Sequence, residues 1–248
     1  TSILIVGYNF SPEYVGIFSA ATGTSFLLLF FATSFSFMSF PVMSRMNFND
    51  KNDQIVETYI SITRWKYLLT LPFFMIFFIF SYEILEILFG VDYTSGSSVL
   101  KLMSLSIFLV VCFGSTGTLL QSLGQSSKVL ISDLVGSIVT VGSVVILISE
   151  YGIYGAALGM GIGFVAREIV ALSFIYRIIN AHPFSRLFVW LTIINLFLIY
   201  YLREILFFLS ENYLLMHFTN SLLLNFLNIF FIFLSFLCVL FSYSVFNV

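Results

Sequence analysis

Arg167 and Glu168 are adjacent charged residues within an apolar stretch, residues 150–180, that is long enough to cross a membrane. Spanning a bilayer takes roughly 20 apolar residues. Arg167 lies about 15 residues into the stretch, which is roughly 22 Å along a helix and near the middle of the membrane. A charge there costs at least ~2.5 kcal/mol, so it must contact protein or water rather than lipid. Two interpretations are open, a structural pair with Glu168 that joins two helices and a charge exposed to a transport cavity, and we favour the cavity.

Three glycines precede Arg167 at intervals of four residues: Gly155, Gly159 and Gly163. Residues with this spacing share one side of a helix, and small side chains there let a neighbouring helix approach closely. The pattern therefore predicts helix packing. It does not predict a nucleotide-binding loop, because no strand precedes it.

The composition is that of a membrane protein. Hydrophobic residues make up 60% of the chain and charged residues only 9%, whereas soluble domains contain about 25% charged residues. The net charge of −2 and the lack of a basic patch argue against nucleic-acid binding. Cys112 and Cys238 lie in apolar runs, and His182 and His217 fall in connections on opposite sides of the membrane. We therefore expect no disulfide, no metal site and no cofactor.

The order of apolar runs and turns predicts an all-α fold, a polytopic transmembrane helix bundle. We expect a partial span at the start, followed by full spans at residues 14–45, 60–89, 99–123, 129–149, 150–180, 187–202 and 220–248. We divide the chain into residues 1–180, with the partial span and five helices, and residues 181–248, with two further helices. Both ends lie in apolar runs, so we expect a fragment of a longer multi-span protein.

Turn residues mark the connections between these spans. Ser11 followed by Pro12 is typical of a helix start. The most polar segment, Met46–Glu57, predicts a solvated loop, and Gly114 and Gly117 predict interruptions of a helix. Lys and Arg concentrate at the same ends of the spans as this loop, which predicts that the loop is cytoplasmic.

Four short segments occur in order between the predicted spans: residues 12–21 (PEYVGIFSAA), 89–93 (FGVDY), 119–128 (LLQSLGQSSK) and 151–157 (YGIYGAA). Together they resemble the oligosaccharide-lipid flippases of the multidrug/oligosaccharidyl-lipid/polysaccharide (MOP) exporter superfamily. The resemblance extends from residue 12 to about residue 177. It implies two six-helix lobes around a central cavity, of which this chain holds most of the second lobe, followed by two additional C-terminal helices. The N-terminal lobe of the same protein is then missing.

The resemblance also implies a function. Family members translocate a lipid-linked oligosaccharide across the membrane by alternating access, for polysaccharide or glycan assembly. The expected partners are the lipid-linked oligosaccharide and membrane lipid, and the expected location is the cell membrane, as a multi-pass protein. We therefore expect the protein to be a membrane transporter and not an enzyme.

An anionic head group requires cationic groups along its path, and the forked guanidinium of Arg suits phosphate. Arg167 is therefore the first candidate for substrate binding, followed by Arg64 and Lys66. For Arg64 and Lys66 we favour a simpler interpretation, snorkelling at the membrane interface. Asp133 and Glu168 are candidates for an ion pair or for carrying a coupling ion. For Asp133 we favour a carboxylate stabilised by the dipole at a helix start.

Two alternative functions are open. A multidrug cation antiporter of the same superfamily would favour acidic residues in its cavity, whereas the deepest charge here is an Arg beside a Glu. A membrane enzyme of polysaccharide synthesis normally carries a large external loop, and the longest connection here is short and apolar. The chain contains no Ser/His/Asp set or cysteine cluster that would favour an enzyme.

Overall fold

The computed structural model describes residues 2–49 and 52–180, which form an all-α bundle without β-strands in those ranges. The helices are α1 (Ser2–Asn9), α2 (Pro12–Phe26), α3 (Leu28–Phe48), α4 (Asn52–Ile79), α5 (Ser81–Phe89), α6 (Ser97–Phe113), α7 (Thr116–Ser122) and α8 (Ser126–Ile179). A 3-10 turn, Val91–Gly96, precedes α6. These residues belong to one compact unit, Thr1–Pro183. The predicted all-α class is confirmed.

Among the described residues, four helical segments are long and apolar enough to cross a membrane: Pro12–Phe48, Asp53–Ile79, Val91–Ser122 and Ser126–Ile179. They confirm the prediction of a membrane helix bundle. The predicted spans 187–202 and 220–248 lie outside the described residues, as do His182, His217 and Cys238. The division at residue 180 and the orientation of the spans stay predictions.

The long helix α8 is a hairpin of two arms, residues 126–151 and residues 153–179. The chain reverses at Gly152, where φ is 59° and ψ is −138°, a conformation that only glycine adopts readily. A Cβ placed on Gly159 would lie 2.6 Å from the backbone nitrogen of Val144, so the arms pack backbone to backbone. The reversal agrees with the sequence prediction of two separate spans at 129–149 and 150–180.

The polar segment Met46–Glu57 is mostly helical, so the prediction of a long loop there is wrong. Helix α3 continues to Phe48, and α4 begins at Asn52. The polar residues occupy helix ends, where their side chains can remain in water. Because α4 begins well before residue 60, Lys66 lies near the middle of α4 and not at its start.

The predicted interruption at Gly114 is confirmed, since α6 ends at Phe113 and Gly114 has φ 86° and ψ −152°. A Cβ on Gly114 would clash with the hydroxyl of Thr63, which shows how closely α4 approaches this break. The predicted interruption at Gly117 is wrong, because Gly117 lies inside α7. At the other end of the bundle, Pro12 begins α2 as predicted, with Ser11 in the N-cap position.

Among the described residues, two apolar clusters lie at different levels of the bundle. The first cluster includes Phe18, Met103, Val144 and Ala157. The second cluster comprises Met43, Ile55, Tyr59, Leu119, Leu120, Val129, Ala171 and Ile175. Along α8, Asp133 on the first arm and Arg167 and Glu168 on the second arm fall between positions of the first cluster and positions of the second cluster. These three charged residues therefore lie at a level between the two apolar clusters.

Candidate functional site

A cavity of ≈ 260 Å³ lies among α3, α4, the α6–α7 break and the second arm of α8. We call it the charged cavity. Its polar lining includes Ser36, Lys66, Ser115, Thr116, Arg167 and Glu168. These residues come from distant parts of the sequence, so only the packing of the helices brings them together.

Arg167 is held by two carboxylates. Its Nε donates a hydrogen bond of 2.6 Å to Oδ1 of Asp133 on the first arm, and its Nη1 donates to Oε1 of Glu168. The Arg167 side chain is 32% exposed, and it lines the charged cavity. The structure therefore gives Arg167 features of both interpretations, a paired structural group and a cavity residue. Its positive charge is already balanced by neighbouring negative charge.

Glu168 is the most enclosed member of this network, with 3% of its side chain exposed. Its second carboxylate oxygen accepts a hydrogen bond of 2.6 Å from Oγ1 of Thr116, at the start of α7. A buried carboxylate is costly unless its oxygens have partners. Here one oxygen is bound by a guanidinium and the other by a hydroxyl from a different helix.

Lys66 is buried, with 4% of its surface exposed. Its Nζ donates to Oγ of Ser115 at 3.0 Å and to Oγ of Ser36 at 3.4 Å. The two hydroxyls are also hydrogen bonded to each other at 3.0 Å. In the part of the chain that the structure describes, both ion pairs involve Arg167 and neither involves Lys66. Interfacial snorkelling is therefore wrong for Lys66, because the ammonium group points into the bundle.

Arg64 and Asp133 differ from what the sequence suggests. Arg64 does not line the charged cavity, and residues two apart on a helix do not share a face, so Arg64 and Lys66 are separated. Asp133 lies beyond the first turn of α8, where the helix dipole has little effect. Its carboxylate binds Arg167 instead, although 51% of its side chain is exposed.

Glycines make the contact between Asp133 and Arg167 possible. A Cβ placed on Gly136 would lie 2.7 Å from Cβ of Arg167, and one placed on Gly163 would lie 2.8 Å from Cα of Thr140. Larger residues at these positions would push the arms apart. The glycines of both arms therefore help to position the ion pair as well as to pack the hairpin.

Sequence reasoning missed three hydroxyl residues of the site, Ser36, Ser115 and Thr116. The available signal was the run Gly114-Ser115-Thr116-Gly117, a cluster of small polar residues inside an apolar segment. Gly114 breaks the helix there, and the break turns the hydroxyls of the next two residues toward Lys66 and Glu168.

The chain is similar to known proteins of polysaccharide and glycan biosynthesis. Residues 1–98 match a family described as polysaccharide biosynthesis proteins. Over 178 residues, 72% of this chain, the sequence is 24% identical to the probable low-salt glycan biosynthesis flippase Agl15 of Haloferax volcanii, and it covers 38% of that protein. No solved structure matches the chain. The resemblance to polysaccharide flippases of the MOP type is thereby confirmed.

Proposed function

We propose that this chain is the second lobe of a flippase that moves a lipid-linked oligosaccharide across a cell membrane by alternating access. The similarity to a glycan biosynthesis flippase supports the general class, and the membrane-length helices support a multi-pass protein. The chain spans 38% of that relative's length. The family resemblance implies that the transporting protein also has a first lobe that pairs with this one, and we include that lobe in the proposal.

One observation supports an anionic substrate more than any other, the burial of Lys66 against the charged cavity. An ammonium group in a low-dielectric interior is costly unless negative charge compensates it. Among the described residues, the hydrogen-bond partners of the Lys66 ammonium group are two hydroxyls, so a phosphate oxygen entering the cavity would be a better partner than either. Hydroxyls can also rotate to donate to the same phosphate.

This geometry changes which candidate residue we expect to contact the substrate head group first. Arg167 already binds two carboxylates, and a substrate phosphate would have to compete with both. Within residues 2–49 and 52–180, no carboxylate forms an ion pair with Lys66. We therefore assign first contact with the head group to Lys66 and the positioning of Glu168 to Arg167. Arg64 is outside the charged cavity and is no longer a candidate for that contact.

The alternative functions fit the cavity less well. A transporter of cationic drugs needs an available carboxylate, and Glu168 is occupied by Arg167 and Thr116. The relative is named as a flippase, which favours a transporter over a membrane enzyme.

The test is Lys66→Met in the full-length protein, in cells that lack any other copy. Met fills a similar volume, and no carboxylate in contact with Lys66 is left without its partner. We expect normal membrane abundance and surface-glycan display reduced by about tenfold or more, since losing a charge pair in a desolvated site is costly. Lys66→Arg should restore part of the display.

The matched control is Lys101→Met. Lys101 is the fifth residue of α6 and does not line the charged cavity. It should retain both abundance and display. Normal glycan display with Lys66→Met would overturn the proposed role of this residue.

A further inference from the structure

Two adjacent residues at the α6–α7 break hold opposite charges of the cavity. Ser115 accepts a hydrogen bond from Lys66, and Thr116 donates one to Glu168. Both hydroxyl residues are buried, with exposed fractions of 4% and 1%. The break therefore keeps an ammonium group and a carboxylate apart, although both line the same cavity.

The separated charges still influence each other. Lys66 and Glu168 are both buried, and their charges interact across the cavity that they line. When Asp133 and Arg167 are included, two positive and two negative charges make the network neutral. The cavity therefore offers a local positive contact at Lys66 without a net positive charge that would retain an anion.

A transporter must bind its substrate strongly enough to admit it and weakly enough to release it. A buried Lys without nearby negative charge would bind a diphosphate tightly and slow its release. Glu168 is placed to prevent this, because it is enclosed, held in position at both oxygens and repels an anion bound to Lys66.

We propose that Glu168 tunes affinity: its negative charge keeps the binding of an anionic head group to Lys66 weak enough for release. The inference rests on the proposed function and deepens it. It predicts that affinity and transport change in opposite directions when the carboxylate is neutralised. A purely structural role for Glu168 would lower both.

The experiment uses the full-length protein in lipid nanodiscs, with inorganic pyrophosphate and farnesyl diphosphate as probes, and calorimetry to measure affinity. Glu168→Gln preserves the shape and removes the charge: its amide oxygen can still accept from Arg167, while its NH2 group would donate to Oγ1 of Thr116 instead of accepting from it. Affinity should increase at least about tenfold, the effect of one unit charge nearby in a partly buried site. In cells that carry the same Glu168→Gln variant, surface-glycan display should decrease. In the double variant with Lys66→Met the gain should disappear, because the bound anion then lacks its partner.

Asp133→Asn is the matched control, since it changes the net charge by the same amount. Asp133 is half-exposed and does not line the cavity, so screening by water should make its effect on affinity much smaller. Equal effects of the two variants would overturn the specific role of Glu168 in favour of net charge alone.

A second variant keeps the inference testable if Glu168→Gln does not accumulate. Thr116→Val removes the hydrogen bond that holds the carboxylate at α7, which lets it move toward Lys66, so pyrophosphate affinity should decrease. The inference would be overturned if Thr116→Val left the pyrophosphate affinity unchanged. It would also be overturned if folded Glu168→Gln bound pyrophosphate with unchanged or lower affinity. Either result would leave the proposed binding through Lys66 intact. Absence of pyrophosphate binding in both wild type and Glu168→Gln would overturn the proposed function as well.

Discussion

The two sides of the charged cavity each hold a cation within the apolar bundle, but the partners of that cation differ. On the α8 side, Arg167 is partly exposed and paired with two carboxylates, of which only that of Glu168 is buried, and glycines nearby allow backbone-to-backbone packing. On the opposite side, Lys66 is buried more completely but has only hydroxyl partners. A cation with matched negative charge serves the structure, whereas a cation held by neutral groups remains available for a ligand. The same type of residue in the same apolar setting therefore has different roles according to its partners.

Arg167→Ala should have the largest effect. It leaves Glu168 buried without its cation, and breaking a buried pair typically costs about 3–5 kcal/mol. We expect membrane abundance and glycan display to decrease together, with Arg167→Lys intermediate. The measurement is quantitative blotting of membranes beside surface-glycan staining. Normal abundance with reduced display would contradict a structural role for Arg167. It would instead favour the interpretation that Arg167 is a charge exposed to the transport cavity.

Gly159→Leu should have the next largest effect, because it tests the backbone contact on which the α8 side depends. The added side chain would overlap the backbone of Val144, and overpacking typically costs about 1–3 kcal/mol. We expect less folded protein and a lower midpoint in thermal denaturation. Gly142 on the first arm provides the control, since a Cβ there meets nothing within 4 Å. If Gly142→Leu and Gly159→Leu behaved alike, close packing of the arms would be wrong.

Ser36→Ala should have the smallest effect. It tests how much one hydroxyl partner of Lys66 contributes to ligand binding. It removes one hydroxyl that contacts Nζ at 3.4 Å, and a hydrogen bond of this kind contributes about 0.5–1.5 kcal/mol. We expect normal abundance and a decrease of roughly twofold in pyrophosphate affinity, because the long contact places this bond at the lower end of that range and about 1.4 kcal/mol corresponds to a factor of ten. Ser34→Ala is the control, because that exposed hydroxyl bonds only its own helix backbone. A loss of protein in Ser36→Ala alone would mean that the Lys66 side is also structural.

Local sequence patterns predicted much of the fold. Pro12 and Gly114 have backbone constraints that few other residues share, so they marked a helix start and a helix break correctly. Apolar runs of membrane length indicated the helices between them. The boundary of α4 was missed because polar residues at a helix end resemble a loop in composition.

The site was harder to predict from the sequence. Arg167 and Glu168 stood out because charges are rare inside membrane spans. The role of Ser36 and Ser115 was not visible, because Ser in an apolar helix usually bonds its own backbone four residues earlier, as Ser36 also does. The contact of Asp133 with Arg167 depends on the angle at which the arms meet. No pattern within a single helix encodes that angle.

The reversal at Gly152 has a consequence for how the hairpin enters the membrane during synthesis. Alone, the second arm would carry Arg167 and Glu168 into hydrocarbon, at roughly 2.5–3.5 kcal/mol for a charged residue at the centre. With a single residue between them, the arms stay at very high effective concentration, and Asp133 of the arm made first meets Arg167 as soon as the second arm forms. The two arms can then leave the translocon with Arg167 already paired to a carboxylate of each arm, so that the first arm acts as an intramolecular chaperone for the second.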